Sequence, residues 1–158
     1  MSHLLEVKNL DVKFDTDEGR ITAVENISLS VDQGEVLGIV GESGSGKSVT
    51  AKSIMKLNPG NTSYNEDAEI ILDNENVLQF TSKQDLKKIR GGKVSMIFQE
   101  PMASFAPAIK IGAQMVEQLL IHKNINKEEA KSISINMLKR VGIACLLYTS
   151  PSPRDQSG

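Results

Sequence analysis

With 158 residues, 39% of them apolar and 24% charged, the chain has the length and composition of a soluble globular domain that can bury a core. A formal net charge of −2 supplies no basic field for nucleic acid. No apolar run reaches the ~20 residues of a membrane-spanning helix, and Met1-Ser-His-Leu-Leu-Glu lacks the basic flank and apolar stretch of a signal peptide, so a cytoplasmic protein is expected. The single cysteine, Cys145, has no internal disulfide partner, and with His3 and His122 far apart no zinc cluster is legible.

In chain order, residues 4–14 alternate apolar and polar in places and predict a strand. Asp15 to Gly19 predicts a turn, and residues 21–31 a second strand with better alternation. After the turn Asp32-Gln-Gly34, the run Glu35-Val-Leu-Gly-Ile-Val40 has the character of a strand buried on both faces. It ends on a glycine-rich loop, and a helix is expected from about Ser48 to Leu57, stopped by Pro59-Gly60. Residues 61–80 are less regular. Within them, Glu69 to Leu72 predicts a strand and Asp73 to Asn76 a turn. Ser82 to Arg90 predicts a short helix with Ser82 as N-cap and Asp85 at the capping-box position. Gly91-Gly92 breaks it, and Val94 to Phe98 predicts another strand leading into the loop Gln99-Glu100-Pro101.

Two further helices are expected. One, from about Ile111 to His122, has Ile111, Met115, Leu119 and Leu120 on one face. The other starts at the N-cap Asn126 with Glu129 three residues on, and presents Ala130, Ile133, Met137, Leu138 and Val141. Both stripes are packing surfaces rather than cofactor or membrane contacts. From Cys145 to Gly158 the composition changes to proline and serine without periodicity. No internal repeat is present.

The strongest chemical signal is Gly41-x-x-x-x-Gly46-Lys47-Ser48, after an apolar run and before a helix. The phosphates of a nucleotide carry several negative charges and need many donors. Glycines let the loop curl so that successive backbone N–H groups point inward, and the helix N-terminus adds unpaired N–H groups and a positive dipole end. Lys47 is expected to reach the β- and γ-phosphates, and the Ser48 hydroxyl to bind Mg²⁺. Ile70-Ile-Leu-Asp73 imitates the apolar strand plus aspartate that holds Mg²⁺ in many phosphate-loop enzymes. The turn residues crowding after it, and the absence of a glutamate beside Asp73, favour an ordinary strand end. Gln99, at the end of an apolar strand, is either a ligand-site residue or a turn residue.

The succession Gly41-Glu-Ser-Gly-Ser-Gly-Lys-Ser-Val49 and Ile89-Arg-Gly-Gly-Lys-Val-Ser-Met-Ile-Phe-Gln-Glu-Pro-Met102 resembles the ATP-binding subunits of ABC transporters, in the branch of oligopeptide, dipeptide and nickel importers. The resemblance covers about residues 3–143. It implies an α/β fold: a P-loop NTPase core of an ABC nucleotide-binding domain with an N-terminal antiparallel β subdomain, truncated in the helical subdomain. It implies that Gly41, Ser43, Gly44, Gly46, Lys47, Ser48 and Val49 form the Walker A loop and its flank. Gln99 becomes the Q-loop glutamine, which contacts Mg²⁺ and the attacking water. Lys47 and Gln99 would thus serve catalysis, and Ser48 and Gln99 the metal. An aromatic near the N-terminus stacks on adenine in this family. Phe14 is the candidate here, the other reading being a core strand residue. The implied cofactors are ATP and Mg²⁺. The implied partners are two membrane permeases, a second ATP-binding subunit (identical or different) and an external solute-binding protein, with no nucleic acid, and the implied place is the cytoplasmic face of the membrane.

Ser104-Phe-Ala-Pro107 departs from the family's common Ser-Leu-Asn-Pro in a loop that faces the membrane subunits. The larger departure is that the signature Leu-Ser-Gly-Gly-Gln, the Walker B strand with its glutamate and the switch histidine do not occur in this sequence. The chain as written is therefore expected to bind nucleotide weakly, to hydrolyse little or none and to leave apolar surface exposed. Residues 1–143 are expected to be the N-terminal part of the nucleotide-binding domain. Residues 144–158 are expected to be a non-native tail resembling translated adaptor sequence, or a disordered terminus. Two readings stand beside the transporter subunit: a truncated, non-catalytic nucleotide binder, and a small-molecule kinase. The kinase would need a lid with arginines, and Arg20, Arg90, Arg140 and Arg154 are scattered.

Overall fold

A computed structural model gives the fold, and residues 3–99 and 105–143 are described. The chain divides into two compact units, Met1–Val94 and Ser95–Gly158.

The first unit is built on one long strand. β1 (Leu5–Thr16) lies between β2 (Gly19–Val31) on one side and, on the other, β4 (Glu69–Leu72) beside its first half and β3 (Thr62–Tyr64) beside its second; β5 (Glu75–Asn76) follows β4, and every pairing is antiparallel. The alternation of β1 changes phase in the sequence, from Leu5 and Val7 to Leu10, Val12 and Phe14. The structure places a register shift between Val7 and Leu10, with Asn9 in the left-handed region at φ 48°. The extra residue of a β-bulge moves the inward face on by one position. Val7, Leu10 and Val12 are all fully buried as a result. On the edge strand β2 the alternation yields no single buried face: Val24 is buried while Ile21 and Ile27 are exposed.

Val7, Leu10, Val12 and Val24 join Ala68, Ile70 and Leu72 from β4 and its approach, and Val77 and Ile89 beyond it, in one core. Complete burial of a side chain of this size is worth roughly 1.5–3 kcal/mol. Residues 77–79 form a 3₁₀ turn, and α2 (Lys83–Ile89) follows. Ser82 caps α2 as predicted, its oxygen accepting from the Asp85 backbone N–H. The Asp85 carboxylate accepts from the Ser82 hydroxyl at 2.6 Å.

Three expectations are corrected. The helix after the glycine-rich loop, α1 (Lys47–Ile54), stops before Pro59-Gly60, because Lys56 turns left-handed at φ 50°. The expected strand over 35–40 is no strand, and Val36 and Val40 are 94% exposed. Nor is there a strand over 94–98, where Val94 makes only an isolated bridge to Arg90 and Ile97 is 95% exposed. A buried parallel strand requires neighbours on both edges and cover on both faces, and among the described residues no strand lies beside either run. The short strand β3 and the 3₁₀ turn arise where no periodicity was legible.

In the second unit, α3 (Ile111–His122) and α4 (Lys127–Arg140) are joined by four residues. α4 has a complete capping box: Asn126 Oδ1 accepts from the Glu129 N–H at 2.9 Å, and Glu129 Oε2 accepts from the Asn126 N–H at 3.1 Å. The buried positions are Ile111, Gly112 and Val116 on α3 and Ala130, Ser134 and Leu138 on α4. Leu120, Met137 and Val141, expected on the packing faces, are exposed. Ala130 and Leu138 are buried as expected, the small residues Gly112 and Ser134 are buried with them, and Ser134 satisfies its hydroxyl on the Ala130 carbonyl. The expectation for residues 144–158 lies outside the described residues, as does Ser104.

Candidate functional site

The loop Gly41–Gly46 is held in shape from both ends. At its start, a Cβ on Gly41 would lie 2.6 Å from Ser45 Oγ. At its end, Gly46 is left-handed at φ 86°, and a Cβ there would lie 2.6 Å from the Ala23 carbonyl oxygen and 3.0 Å from a Val24 methyl. Only glycine satisfies both the dihedral and the contact. Gly44, at φ 83°, needs glycine for the dihedral alone, since open space surrounds its missing Cβ.

Gly46 is also the N-cap of α1, and it offers no side chain to the first turn. The first N–H groups of a helix have no intrahelical partner, and no acidic residue sits in this first turn. The end of α1 therefore faces the loop with open donors and its positive dipole. Lys47 lies over the same loop. Its Nζ donates to the Gly41 carbonyl at 2.7 Å, the Glu42 carbonyl at 2.6 Å and Ser45 Oγ at 3.3 Å. Ser48 is exposed beside it, and Val49 packs partly into the core. Helix-end donors and a cation thus lie together beside the exposed Ser48, without an opposing carboxylate contact on Lys47 among the described residues. That donor set fits a polyphosphate with its counter-cation.

Polar side chains fix α1 from below. Thr50 and Ser53 are buried and return their hydroxyls to the carbonyls of Gly46 and Val49. Asn58 donates to Ser53 Oγ at 2.8 Å and reaches Tyr64 Oη at 3.3 Å. These supports, and the Ala23–Val24 wall behind Gly46, were not found from the sequence. The one legible signal was polar residues at i and i+3 on a helix lacking an apolar stripe.

The remaining predicted residues are placed as follows. Phe14 lies on β1 opposite Ile21 and Thr62, packed partly against the core. Gly41, Ser43 and Gly44 line the exposed loop. Gln99 is exposed in a bend of the second unit, and Phe98 before it lines a cavity of about 630 Å³ together with Met96, Phe105, Met115, Leu119 and Met137. The loop 105–110 beside that cavity is fastened by Gln114, whose amide bonds Ala106 N–H and the carbonyls of Ala106 and Ile109. Asp73 is a turn residue at φ 50° paired with Lys93 at 2.7 Å, the ordinary strand end that its neighbours suggested. Among the described residues no group of three or more His, Cys, Asp or Glu could hold a metal ion.

Against known proteins, the family model for the ABC transporter matches residues 24–152. The oligopeptide transport ATP-binding protein OppD of Bacillus subtilis (strain 168) is 42% identical over 143 residues, covering 90% of this chain and 40% of that protein. The dipeptide transport ATP-binding protein DppD of Lactococcus lactis subsp. cremoris (strain MG1363) is 44% identical over 141 residues, covering 89% of this chain and 40% of its own length. The chain thus spans about 40% of the length of these curated relatives. Among solved structures, the fold resembles the ATP-binding cassette MJ0796 in a dimeric post-hydrolysis state bound to ADP and Pi, with a TM-score of 0.78 at 24% identity over 95% of this chain and 62% of that one.

Proposed function

The chain belongs to the ABC transporter family, and from that premise we propose that it is part of the ATP-binding subunit of a peptide importer, binding Mg-ATP at Gly41–Val49. The observation that carries this reading is Lys47 Nζ folded over the loop shaped by Gly41, Gly44 and Gly46, beside the uncapped first turn of α1 and the exposed Ser48. Lys47 would carry the charge of the β- and γ-phosphates, the α1 donors and the loop N–H groups their oxygens, and Ser48 the cation. Bound Mg²⁺ would supply charge neutralisation between those phosphates.

Phe14 would border the base, and Gln99 would serve the metal, the attacking water and communication with a membrane partner. The peptide class follows the names of the relatives at 41–44% identity. Two permeases, a second ATP-binding subunit and a solute-binding protein would complete the assembly at the cytoplasmic face of the membrane. No described helix is long and apolar enough to cross a membrane. Because the signature, Walker B and switch-histidine motifs do not occur in the sequence, the chain by itself would bind nucleotide and turn over little.

Titration of the 158-residue chain with Mg-ATP tests the reading. Affinity should fall by at least tenfold, on the order of 1.4 kcal/mol, in Lys47→Ala, with the far-ultraviolet spectrum preserved. Equal affinity in wild type and variant removes Lys47 from phosphate binding and the proposal with it.

A further inference from the structure

The C-terminal end of α1 is tied down by two cations, one bonded to its carbonyls and one carried just past its last residue, that neither the motif nor the family comparison assigns. Arg90, the C-cap of α2, donates Nε to the Met55 carbonyl at 2.9 Å and Nη2 to the Lys56 carbonyl. Lys56 in turn sends its ammonium away from α1, donating to the carbonyls of Leu78 at 3.1 Å and Phe80 at 2.8 Å. Both side chains are partly buried, and neither forms an ion pair with a carboxylate among the described residues. Four backbone carbonyls from two segments are thus held by two charges.

Placed here, the cations do more than pack. The last carbonyls of a helix lack intrahelical partners and carry the negative end of its dipole. An apolar plug would bury that end without fixing its rotation. A planar guanidinium bonded to two successive carbonyls fixes both height and rotation. α1 has eight residues and is about 12 Å long, so a tilt at Met55 is felt at Lys47 and Ser48. The near end rests against the Ala23–Val24 wall at Gly46, and Arg90 secures the far end.

We infer that Arg90, braced by Lys56, is a positioning residue for the phosphate site. It sets α1 so that Lys47, Ser48 and the first-turn N–H groups meet the nucleotide phosphates in register. The inference rests on the reading of Gly41–Val49 as a nucleotide site.

The test is Mg-ATP affinity of the full chain, with thermal unfolding measured on the same samples, for wild type, Arg90→Ala, Arg90→Lys and Lys56→Met. Arg20→Ala is the control, since that guanidinium pairs with Asp15 on the exposed β1–β2 hairpin. Arg90→Ala should bind on the order of tenfold more weakly while folded. Arg90→Lys, a single donor in place of a fork, should fall between, and added guanidinium ion should restore part of the loss in Arg90→Ala alone. Arg20→Ala should bind as wild type does. A role in stability alone would lower the melting temperature and leave the affinity of folded protein unchanged, and that result overturns the inference while the nucleotide site stands. If Arg90→Ala does not fold, Arg90→Lys and Lys56→Met decide by the same criterion. Failure of all three to fold makes the pair purely structural and equally overturns it. A wild-type chain that binds no nucleotide overturns the site reading and the inference together.

Discussion

Gly46 and Gly44 share a left-handed backbone, at φ 86° and 83°, yet they should respond differently to a methyl group. Alanine in that region costs about 1–2 kcal/mol. At Gly44 nothing else stands in the way, so Gly44→Ala should lose about that much. At Gly46 the new Cβ also meets the Ala23 carbonyl at 2.6 Å, and β2 or α1 has to move. Gly46→Ala should therefore lose about 2–3 kcal/mol, adding the lower bound for an overpacked site to the dihedral cost. Urea unfolding midpoints of the two variants measure the difference, and equal losses would show that the β2 wall yields freely. The pair matters for function because Gly46 is the hinge between the loop and the helix carrying Lys47.

At the scale of elements, the two capped helices show what one methylene does. Glu129 reaches back to the Asn126 N–H and completes the box on α4. Asp85 is shorter and accepts from the Ser82 hydroxyl instead. That hydrogen bond, with Lys88 nearby, holds the Asp85 carboxyl below its ordinary value. A carboxyl whose folded pKa is depressed stabilises the fold above its unfolded pKa, near 3.9. The contribution is lost as pH falls through the folded value. Acid titration followed by circular dichroism should show an α2 component weakening below about pH 4, and Asp85→Asn should remove that pH dependence while leaving the Ser82 cap in place. An unchanged acid profile in Asp85→Asn would assign the component to other carboxyls.

For the molecule as a whole, the consequential feature is apolar surface on runs that have the composition of buried strands. Val36, Val40 and Ile97 are each more than nine-tenths exposed, with Leu37, Ile39 and Phe98 partly so. Exposed apolar side chains in sequence favour association. The isolated chain should self-associate with rising concentration, and Val36→Lys with Val40→Lys should reduce that association without altering the β1–β4 core, in which neither residue takes part. Sedimentation velocity across a concentration series distinguishes the cases. A monomeric wild type at every concentration would mean that these side chains are covered in solution.

The sequence by itself determined the hairpin of β1 and β2, the strand Glu69–Leu72, the caps of α2 and α4, and the glycine-rich loop that opens α1. Each is specified locally, by alternation, by a cap three residues from its partner, or by glycines at fixed spacing before a lysine. Tertiary structure decided the rest. The bulge at Asn9 sets which residues of β1 face inward, the Ala23 carbonyl crowds any side chain at Gly46, and the left-handed Lys56 ends α1 before its proline. It also left residues 35–40 out of any sheet, because a strand exists through hydrogen bonds to neighbours. No local pattern in those six residues can supply the neighbours themselves.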